Sequence, residues 1–238
     1  MPKHGKNYRI VASQLEDRPY SPDEALAFFK EHPTARFDET MELHLRLGVD
    51  PRHADQMVRG VVVLPRGTGK QTRILVFADG EAARIAEEAG ADYVDLDDLI
   101  QKIQGGWLDF DMAIAVPQVM SKVGRLGRIL GPRGLMPSPK AGTIVQPNEL
   151  KRVIDEARKG RVSYRVDRTG NLHIPFGKRS FELDALLENL AAVIDSVMRN
   201  RPASAKGAYI RKAVIAPTMG PGAKIDIPSL IALRTKYA

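Results

Sequence analysis

The sequence has no cysteine, few aromatic residues and no long apolar run, and each absence excludes a class of protein. Without cysteine there is neither a disulfide framework nor a thiol metal site, which suits a reducing compartment. Aromatic residues make up only 6% of the chain, which argues against a single-strand binder that stacks one base after another. No apolar stretch approaches the roughly 18 residues of a membrane helix, and the N-terminus lacks a signal-peptide core. We therefore expect a soluble cytoplasmic protein without membrane contact.

Catalytic and metal-binding patterns are also missing. The 5 histidines form no pair at metal-binding spacing, and no serine lies in a nucleophile-elbow pattern. The stretch "GTGK" ends like a phosphate-binding loop, but Leu64 and Gln71 replace the glycine and the hydroxyl that such a loop requires. Gly124, Gly127 and Gly131 lack the spacing of a dinucleotide fingerprint. We predict no catalytic residue, metal or cofactor. The alternative is an α/β nucleotide-dependent enzyme of the transferase class, because a fold alone does not exclude catalysis.

Acidic residues are absent from one long segment, residues 112–148. The basic residues of this segment are Lys122, Arg125, Arg128, Arg133 and Lys140. The whole chain carries a net charge of +7, which favours an anionic partner such as nucleic acid. The region 67–159 has no net charge, since ten acids in 79–111 offset its basic end. The two flanks therefore carry the excess, and this pattern favours two separate anion-binding surfaces.

The middle of the chain alternates short apolar strands with helices. The predicted strands are 72–78, 91–94 and 112–116, and this alternation is typical of a parallel sheet with helices on its faces. An aspartate is expected to cap the helix in 95–106, and Asn148 to cap a helix that ends at Lys159. After Pro117, a helical period places the apolar residues on one stripe and the cations on the flank and far side. That stripe consists of Val119, Val123, Leu126 and Leu130.

The flanks show a different pattern. Ser21, Pro22 and Glu24 predict a capped helix, and the alternation in 40–47 predicts a strand with one exposed face. Residues 161–166 and 171–177, joined by "DRTG", look like a hairpin. A long helix in 181–200 and strands in 208–216 and 224–227 follow.

We therefore predict an α/β protein of two domains. Residues 1–66 and 160–238 form a split domain with a mainly antiparallel sheet, and residues 67–159 form an inserted three-layer domain with a parallel sheet of Rossmann-like topology. Gly67, Gly69 and Gly160 are the predicted hinge. Three consecutive units are the alternative arrangement.

The segment 131–142, "GPRGLMPSPKAG", is too rich in proline and glycine for a helix. Pro132, Pro137 and Pro139 stiffen it, and a preordered loop loses less entropy on binding. A diffuse contact with a phosphate backbone fits this segment better than a single nucleotide pocket. A solvated surface loop remains the alternative.

Several segments together resemble one known family. They are "LGRILGPRGLMPSPKAGT", "ARFDET", "DQMVRG", "LPRGTGK", "AGADYV", "DFD", "AKG" and "TMGP". Their order and their extent, from the first residue to about Leu230, are similar to those of the L-one family of bacterial large-subunit ribosomal proteins. Ser138 departs from the usual asparagine in the first of these segments.

The resemblance implies a non-enzymatic constituent of the large ribosomal subunit, bound to the ribosome and monomeric off it. The split domain would bind the stalk region of 23S rRNA, and the inserted domain would move with that stalk near the exit-site tRNA. The implied rRNA-binding residues are Arg36, Phe37, Thr40, Lys206, Thr218, Met219 and Gly220. Lys122, Arg125, Arg128, Arg133 and Lys140 would contact phosphates of tRNA or of the stalk. The resemblance also implies help with the release of deacylated tRNA and repression of the protein's own mRNA.

The residue pattern leaves alternatives open at the rRNA site. Phe37 shares the parity of the inward residues Met41 and Leu43, so the pattern alone favours a core position. Thr40 has the opposite parity and faces outward. Met219 is either a plug for the core or an exposed apolar contact. Gly220 would let the backbone approach RNA or adopt a positive φ.

Overall fold

The computed structural model describes residues 4–237. The chain divides into two compact units. The first unit combines the chain up to Gly69 with the chain from Gly160 onward, and the second unit is Lys70–Lys159. Two antiparallel sheets lie in the first unit and one parallel sheet in the second, which confirms the predicted α/β class. The domain boundaries at 66/67 and 159/160 remain a prediction, and by packing the chain divides after Gly69 and after Lys159.

The elements follow the chain in three stretches. The first stretch contains α1 (Lys6–Gln14), α2 (Pro22–Glu31), β1 (Thr40–Leu47) and β2 (Arg59–Val63). The second unit contains β3 (Ile74–Phe77), α3 (Gly80–Glu88), β4 (Tyr93–Asp95), α4 (Asp97–Gln104), β5 (Met112–Ala115), α5 (Met120–Val123), α6 (Gly127–Leu130) and α7 (Leu150–Arg158). The last stretch contains β6 (Arg161–Arg165), β7 (Asn171–Lys178), α8 (Leu183–Arg199), β8 (Ile210–Pro217), β9 (Ala223–Lys224) and α9 (Ile227–Lys236).

The predicted helix caps are confirmed in one case and wrong in two. At α2, the Glu24 amide donates to Ser21 Oγ at 3.3 Å and the Ser21 amide donates to the Glu24 carboxylate at 3.2 Å, a complete capping box. Helix α4 begins after Leu96, whose side chain cannot cap, while Asp97 follows in the first turn and suits the helix dipole. Helix α7 is preceded by the 3₁₀ turn Pro147–Glu149, so Asn148 lies within that turn and is not a cap.

The larger sheet of the first unit has the order β7-β1-β8-β9, with antiparallel neighbours, and β2 and β6 form a second sheet of two strands. Strand β1 lies between β7 and β8, and its residues Met41, Leu43, Leu45 and Leu47 are buried as their alternation predicts. Behind them, Leu26 and Phe29 of α2 and Leu190 of α8 belong to the same fully buried core. This core therefore fixes the position of Thr40, the residue at which β1 begins.

The predicted hairpin of β6 and β7 is wrong. Strand β6 pairs with β2 and strand β7 pairs with β1, in two different sheets. The connecting turn forms nevertheless. The hydrogen bond from the Asn171 amide, together with those from Thr169, lowers the pKa of Asp167 to about 2. A turn sequence therefore determines a reversal of the chain, whereas the pairing partner depends on which apolar strand lies beside each segment.

The second unit has a parallel sheet of order β4-β3-β5, with its first strand in the centre as in doubly wound folds. Strand β3 is buried throughout, as its apolar run predicts. The predicted stripe Val119, Val123, Leu126 and Leu130 is buried too. The helix that carries it is broken by the 3₁₀ turn Gly124–Leu126, because glycine is a weak helix former. Within residues 4–237, none of the helices combines the length and the apolarity needed to span a membrane.

The two points where the chain leaves and re-enters the first unit are closely packed. Gly67, Gly69 and Gly160 all have positive φ, at 71°, 72° and 99°. A Cβ atom on Gly160 would lie 2.6 Å from the Cα of Gly67. The buried Asn189 amide holds the same place, since it accepts from the Arg66 amide at 2.9 Å and donates to the Gly67 carbonyl at 2.9 Å. The role of Gly67, Gly69 and Gly160 as a hinge remains a prediction.

Replacing Gly160 by alanine tests this close packing. The Gly160→Ala protein pays for a positive φ and for a backbone collision, so we expect a loss of about 3 kcal/mol in the free energy of unfolding. Gly207→Ala is the control, because Gly207 has a φ of 75° but open space around its Cβ position, and it should lose only about 1 kcal/mol. Urea denaturation followed by circular dichroism measures both. Equal losses of stability in the two variants would show that the close approach of Gly160 to Gly67 adds no cost.

Candidate nucleic-acid interface

Two loops of the first unit meet where β1 begins. Antiparallel pairing of β1 with β8 places Met41 opposite Pro217 and so brings Thr40 next to Thr218. The Thr218 amide donates to the Thr40 carbonyl at 3.0 Å, and the Thr40 amide donates to the Thr218 hydroxyl at 3.1 Å. The structure therefore joins two candidate segments, residues 34–40 and 217–220, that are far apart in the sequence.

A buried carboxylate fastens these two loops together. Glu39 is completely buried. One of its oxygens accepts from the Thr34 hydroxyl at 2.8 Å and from the Met219 amide at 3.2 Å. The other oxygen accepts from the Thr34 amide at 3.2 Å and from the Ala35 amide at 3.3 Å. These donors offset the cost of burying the charge, so the carboxylate fixes the shape of both loops.

Sequence reasoning missed Glu39, although the sequence contains a signal for it. Glu39 has the parity of the buried residues Met41 and Leu43, so it is an acid at an inward position. Acids are almost never fully buried unless their oxygens have partners. An inward acid next to a strand therefore indicates a cluster of backbone donors around it.

Two large apolar side chains project from the fastened loops. Phe37 is 53% exposed and Met219 is 58% exposed. The interpretation of Phe37 as a core residue is therefore wrong, because β1 begins only at Thr40 and the strand parity does not extend back to Phe37. Met219 is exposed and is not a plug for the core. Arg36 is exposed beside them, and Thr40 is partly buried, with its hydroxyl accepting from Lys178 Nζ at 2.9 Å.

The remaining residues of the 217–220 turn serve the turn itself. The Thr218 hydroxyl also donates to the Thr40 carbonyl at 3.2 Å, a use that the sequence did not indicate. Gly220 is absent from the positive-φ glycines among the described residues, so the expected positive φ is wrong. Its Cβ position lies 2.4 Å from Pro217 Cγ and 3.1 Å from Thr34 Oγ1. Glycine is thus required because a side chain would collide within the turn.

Lys206 does not join this cluster. It lines a groove of about 880 Å³ near the opposite end of β1, which is about 25 Å long for a strand of eight residues. The other basic residues of that groove are Arg46, Arg52, Arg168 and Arg211, and Asp50 is its one acid among the described lining residues. The predicted rRNA-binding residues therefore fall into two groups at the two ends of one strand.

A pair of histidines lies between these two groups. His44 and His173 are opposite each other on β1 and β7, with their Nδ1 atoms 2.8 Å apart. Burial lowers the pKa of His44, the neighbouring His173 lowers it further, and Glu42 opposes both effects. Because the ordinary value is 6.5, His44 is neutral at pH 7. The neutral His44 ring therefore shares a hydrogen bond with the His173 ring.

The five predicted phosphate-binding cations of the second unit are all exposed, and one of them, Lys122, forms an ion pair. Lys122 Nζ lies 3.0 Å from the carboxylate of Asp97, so its charge is partly neutralised. The side chains of Arg125, Arg128, Arg133 and Lys140 are exposed, and within residues 4–237 the structure shows no ion pair for them.

The loop that carries Lys140 is held by Ser138. The Ser138 hydroxyl accepts from the Ala141 amide at 3.1 Å, and the Ser138 amide donates to the hydroxyl of the buried Thr143 at 2.9 Å. The serine that departs from the family pattern thus caps a 3₁₀ turn, Pro139–Ala141.

The chain is similar to known proteins along nearly its whole length. The sequence profile of the ribosomal protein L1p/L10e family matches residues 29–221. The large ribosomal subunit protein uL1 of Thermomicrobium roseum is 56% identical over 234 residues, which cover 97% of each chain. The protein of the same name from Dehalococcoides mccartyi is 51% identical, over 98% of this chain and 99% of its own.

These matches decide between the two functions that the sequence leaves open. The alternative of a nucleotide-dependent transferase is wrong, because the matched family is structural and non-enzymatic. The same matches confirm the resemblance found from the sequence motifs. The chain belongs to the ribosomal protein L1 family, whose members named above are proteins of the large ribosomal subunit.

Proposed function

We propose that this structural constituent of the large ribosomal subunit binds the stalk region of 23S rRNA through the surface of Phe37 and Met219. One observation carries the proposal: two large apolar side chains are exposed on loops that a buried carboxylate holds in place. Family membership makes rRNA the partner class and places the chain on cytoplasmic ribosomes.

The chemistry of this surface suits folded RNA. Apolar side chains pack on a ribose or a base, and the carbonyl oxygens of a tight turn accept hydrogen bonds from 2′-hydroxyls. The amides of Thr218, Met219 and Gly220 already donate within the protein. A groove of about 600 Å³ beside Phe37 is lined by the cations Lys30, Arg36 and Arg179 and by the acids Glu31 and Asp38, so cations outnumber acids there. Because Glu39 already orders the loops, little entropy is lost when RNA binds. A shape-reading site of this kind needs few aromatic residues.

Lys206 and its basic groove supply a second contact in this proposal, to RNA phosphates beyond the apolar surface. The five exposed cations of the second unit contact exit-site tRNA or phosphates at the moving end of the stalk, away from the anchoring site, and help the release of deacylated tRNA. The protein's own mRNA, where it offers the same RNA shape, competes for the Phe37 surface, and its translation is repressed. Off the ribosome the protein is a monomer.

Phe37→Ala tests the anchoring surface. We expect the affinity for a stalk fragment of 23S rRNA to fall about 5- to 100-fold, while the stability stays unchanged because Phe37 is 53% exposed. The slope of log affinity against log salt should not change, since no charge is lost, whereas Arg36→Ala should reduce it by about 0.7–0.9. Val63→Ala, another exposed apolar residue of the first unit, is the control. Wild-type binding by a folded Phe37→Ala protein would refute the proposal.

Glu39→Gln tests the fastening beneath the surface. An amide nitrogen would face two of the donors that the carboxylate now accepts, so we expect a loss of about 2–3 kcal/mol in stability. Affinity for the stalk fragment should also fall, although Glu39 is buried and cannot touch RNA. Glu42→Gln, which removes the same charge on the exposed face of β1, should leave stability nearly unchanged. Calorimetry and filter binding measure the two effects. Unaltered stability in Glu39→Gln would show that the carboxylate does not organise the loops.

The role of the second unit is tested by replacing Arg125, Arg128, Arg133 and Lys140 together with alanine. Affinity for the isolated stalk fragment should remain within about twofold, because the anchoring residues lie in the first unit, while release of exit-site tRNA slows in complete ribosomes. A charge-matched control replaces Arg84, Lys102, Lys151 and Lys159, which are also exposed. The assignment fails if translation kinetics are the same in the variant, the control and the wild type.

A further inference from the structure

A groove of about 530 Å³ separates the N-terminal residues from the Phe37 surface. Its volume falls in the range of sites that hold small ligands. The groove is lined by residues 4–8, by residues 34–37 and by Met219. Residues 4–8 form one wall of this groove. Neither the sequence motifs nor the family resemblance assigns them a role.

The two walls of the groove both present flat or apolar side chains. On one wall the rings of His4 and Tyr8 are stacked, with centroids 3.9 Å apart and an interplanar angle of 14°. On the other wall lie Phe37 and Met219, which are two of the large apolar side chains exposed in the described part of the chain. A planar group that enters between these walls would contact a stacked ring pair on one side and apolar surface on the other.

The charges of the groove are all of one sign. Lys6 and Arg36 contribute full positive charges, and no carboxylate occurs among the lining residues. The wall formed by the N-terminal residues is held in position, because Asn7 Nδ2 donates to the Thr34 carbonyl at 3.3 Å. Thr34 in turn donates its hydroxyl to the Glu39 carboxylate. The groove thus combines a slot for a planar group with cations for an anion. A nucleotide has this combination of parts.

We propose that the N-terminal residues His4, Lys6 and Tyr8 form the second half of the RNA site and hold one unpaired nucleotide. The base lies between the Tyr8 ring and the Phe37–Met219 wall, and its phosphates face Lys6 and Arg36. This inference rests on the proposed function, because the nucleotide belongs to the RNA bound by the Phe37 surface. It adds a specific substructure to that RNA, namely a base that is free to leave its helix.

Substitutions of Tyr8 in the full-length protein test the slot. Tyr8→Ala should weaken binding to the stalk fragment about tenfold, and Tyr8→Phe should bind like the wild type because the stacking ring is kept. Ile10→Ala is the matched control, since Ile10 is 57% exposed on the same helix and does not line the groove. Equal binding by Tyr8→Ala, Ile10→Ala and wild type would overturn the inference.

Lys6 is tested by the salt dependence of binding. Lys6→Ala should reduce the slope of log affinity against log salt by about 0.7–0.9. Arg9→Ala removes an equal charge from the same helix, outside the groove, and should keep the slope. Equal slopes for wild type and Lys6→Ala would remove the phosphate contact from the proposal.

A fluorescent residue gives a readout that does not depend on affinity. With Trp107, the one tryptophan, replaced by phenylalanine, Tyr8→Trp should be quenched when the stalk fragment binds, and Ile10→Trp should not. An unquenched Tyr8→Trp would overturn the inference even if Tyr8→Ala failed to fold. If the N-terminal variants bind normally while Phe37→Ala binds weakly, the slot is wrong and the proposed function stands. If Phe37→Ala also binds normally, the proposed function itself fails.

Discussion

The buried carboxylate of Glu39 is the interaction on which the candidate site depends. A charge in the protein interior is tolerated only when donors surround it, and here the donors come from the loop before β1 and from the turn after β8. The same hydrogen bonds that satisfy the charge also hold Phe37 and Met219 at the surface. Their fixed exposure beside one groove supports the proposed RNA-binding surface.

The core of the first unit determines where this carboxylate lies. Inward residues of β1 pack on α2 and α8, so the strand cannot slip by one residue without turning its buried side chains outward. Glu39, immediately before the strand, is therefore held at an inward position. Glu39 thus connects the register of the sheet with the exposure of Phe37 and Met219 at the surface. The antiparallel partner β8 then places the 217–220 turn above that position.

Patterns within one element were predictable from the sequence, and pairings between distant segments were not. The capping box at Ser21, the alternation in β1 and the stripe from Val119 to Leu130 depend on local spacing, and all three are confirmed. The partner of β6, the exposure of Phe37 and the placement of Lys206 depend on which segments meet in three dimensions. Local sequence does not contain that information. The family resemblance implied a surface position for Phe37, where strand parity indicated a core position.

The central claim is that the loops around Glu39 are ordered before RNA binds. Amide hydrogen exchange of Met219 in the free protein measures this most directly, because its amide lies in a surface turn and donates to the Glu39 carboxylate at 3.2 Å. The account predicts that this amide exchanges as slowly as amides within β1. Exchange at the rate of an open loop, with protection appearing only after RNA is added, would contradict it.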